Sequence, residues 1–520
     1  MKIMSLFLSD AYKQWHFMMY PKGISKLYSN MTPRSYKYLG CEESVFFGLQ
    51  YYIKKYLIEE WNENFFNRPL EEVLAEYKRF HKFFSMADIS VTHIEKLHKL
   101  GYLPLRIKSL KEGTRVPVKV PYYTIVNTDN DSAWLVNFLE TQMSTVIWDM
   151  CVVATIGDMY RKVLNKYALE TTGTTEGVQW QGHDFCMRGR SSIESTFNQA
   201  GWLLSFTGTD TIPAVLMLEE YYDANIENEL VGSSVPASEH SVMTSYGKED
   251  ELGAFKRLLD QFPTGILSVV SDSFDLWKVC TEYLSQLKEQ ILNRDGKLVI
   301  RPDSGDPVDI ICGNKFNTFG EYLTHVDDNT PSGKGVIELL WDVFGGIVNE
   351  QGYKVLDPHI GAIYGDSITL DRAKQICERL KAKGFASTNI VLGVGSYTMN
   401  YNTRDSLGIA VKSTYCEVAH EECEGECQAH QDEKDVDICN DGCIRSGVSR
   451  REIFKDPVTD DGLKKSAKGL LSVIKSDKGL ILKDQCSWRE EAKGELQTVF
   501  LNGELIKSQS LKEIRNNLNK

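Results

Sequence analysis

The chain is most constrained between residues 180 and 400, where one arrangement recurs: an apolar strand, a polar turn, then a helical run. Ile266-Leu267-Ser268-Val269-Val270 ends in Ser271-Asp272-Ser273, and the next segment carries Leu276, Val279, Cys280, Tyr283, Leu284 and Leu287 at helical spacing. Leu298-Val299-Ile300 ends in Arg301-Pro302-Asp303, and His359 to Tyr364 ends in Gly365-Asp366. A helix follows with Ala373, Ile376, Cys377 and Leu380 on one face, and Ile390-Val391-Leu392 ends in Gly393-Val394-Gly395-Ser396. Apolar strands alternating with amphipathic helices predict parallel βα units. Polar residues just past the strand ends are how a barrel builds a site.

Outside that stretch the rhythm differs. Tyr51 to Trp61 and Leu70 to Phe84 are helical in pattern, Leu105 to Lys108 and Val116 to Val120 alternate like strands, and Ala133 to Met150 reads as a buried helix. After Phe454 short strands return at Gly469 to Ile474 and Leu480 to Leu482. A chain of 520 residues exceeds a typical single domain. We expect an α/β fold with a barrel-like catalytic domain over 141–404. A second, sheet-containing domain is expected from 1–140 and 405–520, interrupted by a Cys-rich insertion over 416–450.

Charge narrows the partners. With 59 basic against 72 acidic residues the net charge is −13, which argues against a general nucleic-acid binder but leaves room for phosphate held by a few local cations. No apolar run approaches the length of a membrane span. The N-terminal apolar run is broken early by Asp10 and Lys13, too soon for a signal segment. Seven of the 12 cysteines are scattered singly, as reduced core thiols are. A cytoplasmic protein is the expectation.

The residues with chemistry cluster at the turns. In His183-Asp184-Phe185-Cys186-Met187-Arg188-Gly189, Phe185 offers a flat apolar face and Arg188 a cationic fork. In Thr207-Gly208-Thr209-Asp210-Thr211, Asp210 offers a carboxylate on a short turn. That set suits a planar ring joined to an anion. In the Arg301 to Gly305 turn, Asp303 could bind ribose hydroxyls or a magnesium-bound diphosphate and Arg301 a phosphate. A surface turn with a local ion pair fits the motif equally. Gly365-Asp366 and the Gly393 to Ser396 segment read as glycine turns before helices, whose free N–H groups can hold phosphate. Ser233 to His240 is a polar loop, either a helix cap with a solvated histidine or a site for diphosphate or a phosphoryl group. The insertion carries Cys423, Cys427, Cys439 and Cys443, with Cys416, His420 and His430 nearby. The pairing matches a structural Zn²⁺ site, and a disordered acidic loop with reduced thiols is the alternative.

These segments together resemble the nicotinamide phosphoribosyltransferase family over nearly the whole chain. The resemblance rests on Asp10-Ala11-Tyr12-Lys13, Phe47-Gly48-Leu49-Gln50-Tyr51, His183-Asp184-Phe185 with Arg188-Gly189, and Gly208 to Thr211. It continues through Ser234 to Ala237 with Glu239-His240, Val270 to Ser273, Ile300 to Gly305, Gly365-Asp366, Thr403-Arg404-Asp405 and Phe454 to Pro457. It implies an irregular α/β barrel with a second sheet-containing domain built from both chain ends, and a homodimer with shared active sites. The implied reaction joins nicotinamide to 5-phosphoribosyl 1-pyrophosphate (PRPP), giving nicotinamide mononucleotide and pyrophosphate. Phe185 would stack on one face of the ring, a partner's Tyr12 on the other, and Asp210 would bond the carboxamide, with Arg301 alongside. Arg188, His240, Ser271, Arg301, Asp303, Gly365, Asp366, Gly395, Ser396 and Arg404 would surround ribose and phosphates. Arg34, Lys412 and Lys455 would supply further phosphate cations.

His240 matches the histidine that the family phosphorylates when it couples ATP hydrolysis to synthesis. Mg²⁺ is expected on the diphosphate, with Asp303 and Asp275 as ligands. Ser396 stands where the family's turn carries another glycine. Two rivals remain: nicotinate phosphoribosyltransferase, against which Asp210 argues because it would face a carboxylate, and a non-catalytic binding protein on the same fold.

Overall fold

A computed structural model describes residues 3–314, 329–420, 447–459, 465–477 and 479–520. Two compact units divide the chain: Met1–Val152 with Tyr221–Asp223 and Thr403–Lys520, and Val153–Glu220 with Ala224–Asn402.

The second unit is built on six parallel strands: β1 (Gly182–Phe185), β2 (Gly208–Thr209), β3 (Thr264–Val270), β4 (Asp295–Arg301), β5 (Ile360–Tyr364) and β6 (Ile390–Gly395). Their order is β2-β1-β6-β5-β4-β3, and every pairing is parallel. The two edge strands are not left bare. The segment 233–238 runs between them: Ser233 exchanges backbone hydrogen bonds with Thr207 and Thr209, while Pro236 and Ser238 bond Ser268. Parallel bridges Gly208↔Ser233 and Ala237↔Ser268 complete the closure. An irregular segment thus does what a regular strand would do in a complete barrel, and it satisfies backbone groups that an open edge would expose.

Apolar strands make this sheet a core. Leu298, Ile300, Ile390, Leu392 and Val394 are buried. Helix Leu370–Ala382 turns Ala373, Ile376, Cys377 and Leu380 inward, with Thr369 capping its start through a bond from Arg372 N. The strands therefore fix where their C-terminal ends lie, and those ends carry the polar turns.

The first unit holds a seven-stranded antiparallel sheet. Its order is Gly447–Glu452, Ala410–His420, Ile24–Thr32, Tyr123–Asn127, Leu105–Ser109, Gln497–Leu501 and Glu504–Leu505. Strands from both ends of the sequence thus lie side by side. Lys108 and Glu491, both buried, pair at 3.1 Å beneath it.

Two sequence expectations change here. Val116 to Val120 does not extend as one strand: pairing stops at Pro117, which has no N–H to donate, and Lys119 adopts φ 67°. The 416–450 excursion is also narrower than expected. Cys416 and Val418 alternate inward on a strand paired with Ile24–Thr32 on one side and Gly447–Glu452 on the other. The polar Gly447–Glu452 segment reads as loop by composition because it is an edge strand. Cys423, Cys427, His430, Cys439 and Cys443 lie outside the described residues. None of the eight described cysteines forms a disulfide. Among the described residues no helix is long and apolar enough to cross a membrane.

Candidate active site

The C-terminal ends of the six strands bring most of the expected residues together. Phe185 ends β1, and the Arg301 guanidinium that ends β4 lies 4.8 Å over its ring. Both line a cavity of 480 Å³ with Asp210, Ser234, Val299 and Ile363. A flat cation on one side of an aromatic ring and a carboxylate at the cavity wall suit a planar, amide-bearing ring.

Asp210 is held from two sides. Its Oδ1 accepts from Ser234 Oγ at 2.5 Å and lies 3.1 Å from His183 Nε2. Burial alone would raise its pKa. The hydrogen bonds from His183 and Ser234, with the charges of His183 and Arg301, outweigh burial and keep the carboxyl below the usual range. It is therefore an anion and an acceptor at neutral pH. His183 was not among the expected site residues. Its place directly before Asp184-Phe185 on β1, two residues from the stacking ring and on the same strand face, was the available signal.

The glycines here are spacers. A Cβ on Gly393 would sit 2.5 Å from Tyr364 O and 2.9 Å from the Phe185 ring. One on Gly365 would meet Arg301 Nε at 2.8 Å, and one on Gly395 would clash with Asp366 Oδ1. This corrects the reading of Gly393 to Gly395 as a phosphate turn: they belong to β6, paired with His183, Asp184 and Phe185. Their missing side chains admit neighbours on adjacent strands. Only Gly395 and Ser396 stand at the strand-to-helix junction. Ser396 packs on Gly189, whose own Cβ would overlap it.

Next to this cavity wall is a polar cluster. His240, first residue of helix His240–Thr244, has Nε2 at 3.0 Å from Asp303 Oδ1 and Nδ1 at 3.0 Å from Ser273 Oγ. Asp272 Oδ1 lies 3.9 Å from Nε2. Asp272 Oδ2 accepts from the backbone N–H groups of Asp303 and Ser304 at 2.8 and 2.7 Å, so it shapes the Arg-Pro-Asp turn. Ligand atoms of His240, Asp272 and Asp303 lie within 4.8 Å of one another. Asp272 Oδ1 is buried without a hydrogen-bond partner, a state that favours a nearby cation.

Two expected residues are placed elsewhere. Asp275 caps the helix beginning at Leu276, accepting from Trp277 N and Lys278 N. Asp272, three residues earlier, takes the place expected of it beside Asp303. Ser271 is fully buried and donates to Val269 O at 2.7 Å, so its hydroxyl braces the main chain and is closed to a phosphate. Arg188 stands exposed on the turn Met187–Gly189, and exposed Asp366 accepts from Ser367 N.

Behind this cluster Glu251 is buried, 1% exposed, and its Oε1 has no partner. Burial, then repulsion from Asp275 and Asp272, pushes its carboxyl up to about 7 against the attraction of Lys278. The folded state then binds more protons than the unfolded one, so this group costs stability as pH rises from about 4.5 to about 7. Glu251→Gln is expected to raise Tm at about pH 8 while changing it little at about pH 4.5. Thermal melts at both values check this. An equal shift at the two would refute it.

The remaining expected cations sit in the first unit. Lys412 is held below the usual lysine range by burial, and by Arg34, Lys455 and Arg404 against the pull of Glu140. Lys412 thus has three cations close enough to repel it, and such a set is a ready phosphate site. Arg404 also lines a smaller cavity of 280 Å³ with Asp10, Tyr12, Lys13, Glu140 and Trp148. Tyr12 is 60% exposed, and Lys13 beside it is buried on Glu140 at 2.7 Å.

A parallel α/β core with a ring cavity and an acid-histidine cluster at its strand ends defines a phosphoribosyltransferase-type enzyme. Residues 180–445 match the nicotinate phosphoribosyltransferase (NAPRTase) family, and residues 4–107 match the nicotinamide phosphoribosyltransferase N-terminal domain. The chain belongs to the NAPRTase family. It is 45% identical to the nicotinamide phosphoribosyltransferase of Acinetobacter baylyi, covering 98% of this chain and 96% of that one. It is 37% identical to that of Mycoplasma pneumoniae, covering 79% and 88%. Its fold is similar to that of a nicotinate-nucleotide pyrophosphorylase from Pyrococcus furiosus, with a TM-score of 0.53 at 12% identity over 99% of this chain and 94% of that one.

Proposed function

We propose that the protein joins nicotinamide to PRPP, forming nicotinamide mononucleotide and pyrophosphate in NAD salvage. The observation that carries this reading is Asp210: an ionised acceptor on the wall of a cavity that also presents Phe185 and Arg301. A carboxamide NH₂ donates to such a group, whereas the carboxylate of nicotinate is repelled.

The pyridine nitrogen is a neutral nucleophile, so no strong base is needed. The barrier lies in breaking the ribose C1–O bond as positive charge develops at C1. Phe185 orients the ring, and Asp303 and Asp366 face the ribose hydroxyls. Arg188 draws phosphate at the strand ends, and Arg34, Arg404, Lys412 and Lys455 form a separate set of phosphate cations in the first unit; fixed charges of this kind provide most of the rate enhancement in comparable sites. Asp272 and Asp303, beside His240, would hold Mg²⁺ or its water shell, and their carboxylate oxygens fit a hard cation. When bound, that ion would offset diphosphate charge. The exposed Tyr12 ring supports a homodimer in which each copy covers the other's nicotinamide. Zn²⁺ in the insertion and a cytoplasmic location complete the reading.

We further infer that ATP stimulates the reaction through a phosphohistidine at His240, whose Nδ1 and Nε2 are both oriented by neighbours. Assays with PRPP, Mg²⁺ and either base, with and without ATP, test both parts. Nicotinamide should be strongly preferred and ATP should accelerate its turnover. His240→Ala should lose acid-labile phosphate and the acceleration together. Undiminished ATP stimulation in that variant would sink the phosphohistidine.

A further inference from the structure

Asp184 stands between His183 and Phe185 on β1, and the reaction leaves it without a part. Alternation along the strand turns His183 and Phe185 toward the ring cavity, while Asp184 does not line it. Asp184 is fully buried, yet both of its carboxylate oxygens are engaged. Oδ1 accepts from Cys186 N and from Gln199 Nε2, each at 2.9 Å, and Oδ2 accepts from Thr209 Oγ1 at 2.8 Å. The Asp184 backbone oxygen accepts from Asp210 N at 2.9 Å. β1 and β2 pair in parallel at this point, with Asp184 beside Thr209.

The direction of the Thr209 bond is fixed. Thr211 N can only donate, and it donates to Thr209 Oγ1 at 2.9 Å. A hydroxyl has one proton, so that of Thr209 goes to Asp184. The turn Thr209-Asp210-Thr211 is therefore held at every residue: Thr209 by its hydroxyl, Asp210 by its N–H, and Thr211 through the same hydroxyl. On its other oxygen Asp184 holds Cys186 N, one residue past Phe185. Ser234 and His183 orient the Asp210 side chain, whereas Asp184 sets the backbone that carries it. Thr209, Thr211, Gln199 and Cys186 are all buried, so solvent is poorly placed to replace a bond lost from this group.

We propose that Asp184 and Thr209 are positioning residues that fix the spacing between the Phe185 ring and the Asp210 carboxylate, and through it the preference for an amide-bearing pyridine over its carboxylate analogue. The proposal rests on the reading of Asp210 as the contact to the ring's carbonyl substituent. Neither Asp184 nor Thr209 lines the cavity, so they act through the two residues that do. The stacked ring decides where the substituent lies. The acceptor must then stand within hydrogen-bond reach of it, and a displacement of about 1 Å is enough to lose that bond.

Thr209→Val keeps the shape of the side chain and removes the hydroxyl, leaving Asp184 Oδ2 and Thr211 N without their shared partner. The KM for nicotinamide should rise about tenfold, and the ratio of kcat/KM for nicotinamide over nicotinate should fall by about the same factor, the scale of one buried hydrogen bond broken. The KM for PRPP should stay within about twofold of wild type. Thr209→Ser restores the hydroxyl and should recover most of both losses. Asp184→Asn is the second variant should Thr209→Val not fold. Its amide puts a donor where one of the three donors now binds, so KM and ratio should shift the same way. A lowered Tm with wild-type KM and ratio would show that the pair serves the fold alone, and would overturn the proposal. So would Thr209→Ser as impaired as Thr209→Val, or an equal rise in the KM values of nicotinamide and PRPP. These three results leave the Asp210 reading intact. Full amide preference retained in Asp210→Asn would overturn that reading and the proposal with it.

Discussion

Arg301→Ala is expected to lower kcat/KM for nicotinamide by about 10²–10³-fold, the scale seen when one fixed charge is removed from a reacting site. Three observations set that size. The guanidinium covers the Phe185 ring at 4.8 Å, so its loss removes one face of the ring's support. It contributes to holding Asp210 ionised. Its Nε is buried without a hydrogen-bond partner among the described residues, so the fold gives that atom no bond in exchange for its burial. Arg301→Lys should recover little, because an ammonium cannot reproduce a planar stack over an aromatic ring. Steady-state kinetics on both variants checks this. Rates within about threefold of wild type would mean that Arg301 serves the fold and not the reaction.

Gly393→Ala is expected to damage both stability and binding, by a different route. The added methyl would sit 2.5 Å from a backbone oxygen of the adjacent strand and 2.9 Å from two Phe185 ring carbons. The Tyr364 carbonyl cannot move without breaking the parallel pairing between β5 and β6, so the ring gives way. Overpacking of this kind costs about 1–3 kcal/mol. The displaced ring should also raise the KM for nicotinamide by about tenfold, since roughly 1.4 kcal/mol of lost stacking is that factor. Melting temperature and KM measured together are the check. A lowered Tm with unchanged KM would show that the ring kept its place and that only the sheet was strained.

The sequence by itself determined the parts of this protein that depend on short-range periodicity. Strand, turn and helix recur with a local period, and the helix predicted over Leu70 to Phe84 is found at those bounds because its apolar spacing and its entry after Pro69 need no distant information. Phe185, Asp210 and Arg301 could be placed at or just past strand ends from sequence, where a parallel core presents its polar residues at one face, but the cation over the Phe185 ring is Arg301, whereas the motif offered Arg188 for that place.

Only the tertiary structure decided how those pieces share their work. Asp272 and Asp275 are chemically identical, and their roles separate only because the turn after β3 aims one at the Asp303 backbone and leaves the other over its own helix. Ser271 looks like a phosphate ligand until its neighbours bury it. Gly393 and Gly395 read as a turn because glycine is common in turns, yet it is Phe185 and Tyr364 on other strands, and Asp366 just past one, that exclude a side chain there. Cys416 reads as part of a polar excursion, and a strand nearly four hundred residues away in the chain draws it into a core. In each case the deciding contact joins residues far apart in sequence, and no local pattern records which distant backbone will arrive beside it.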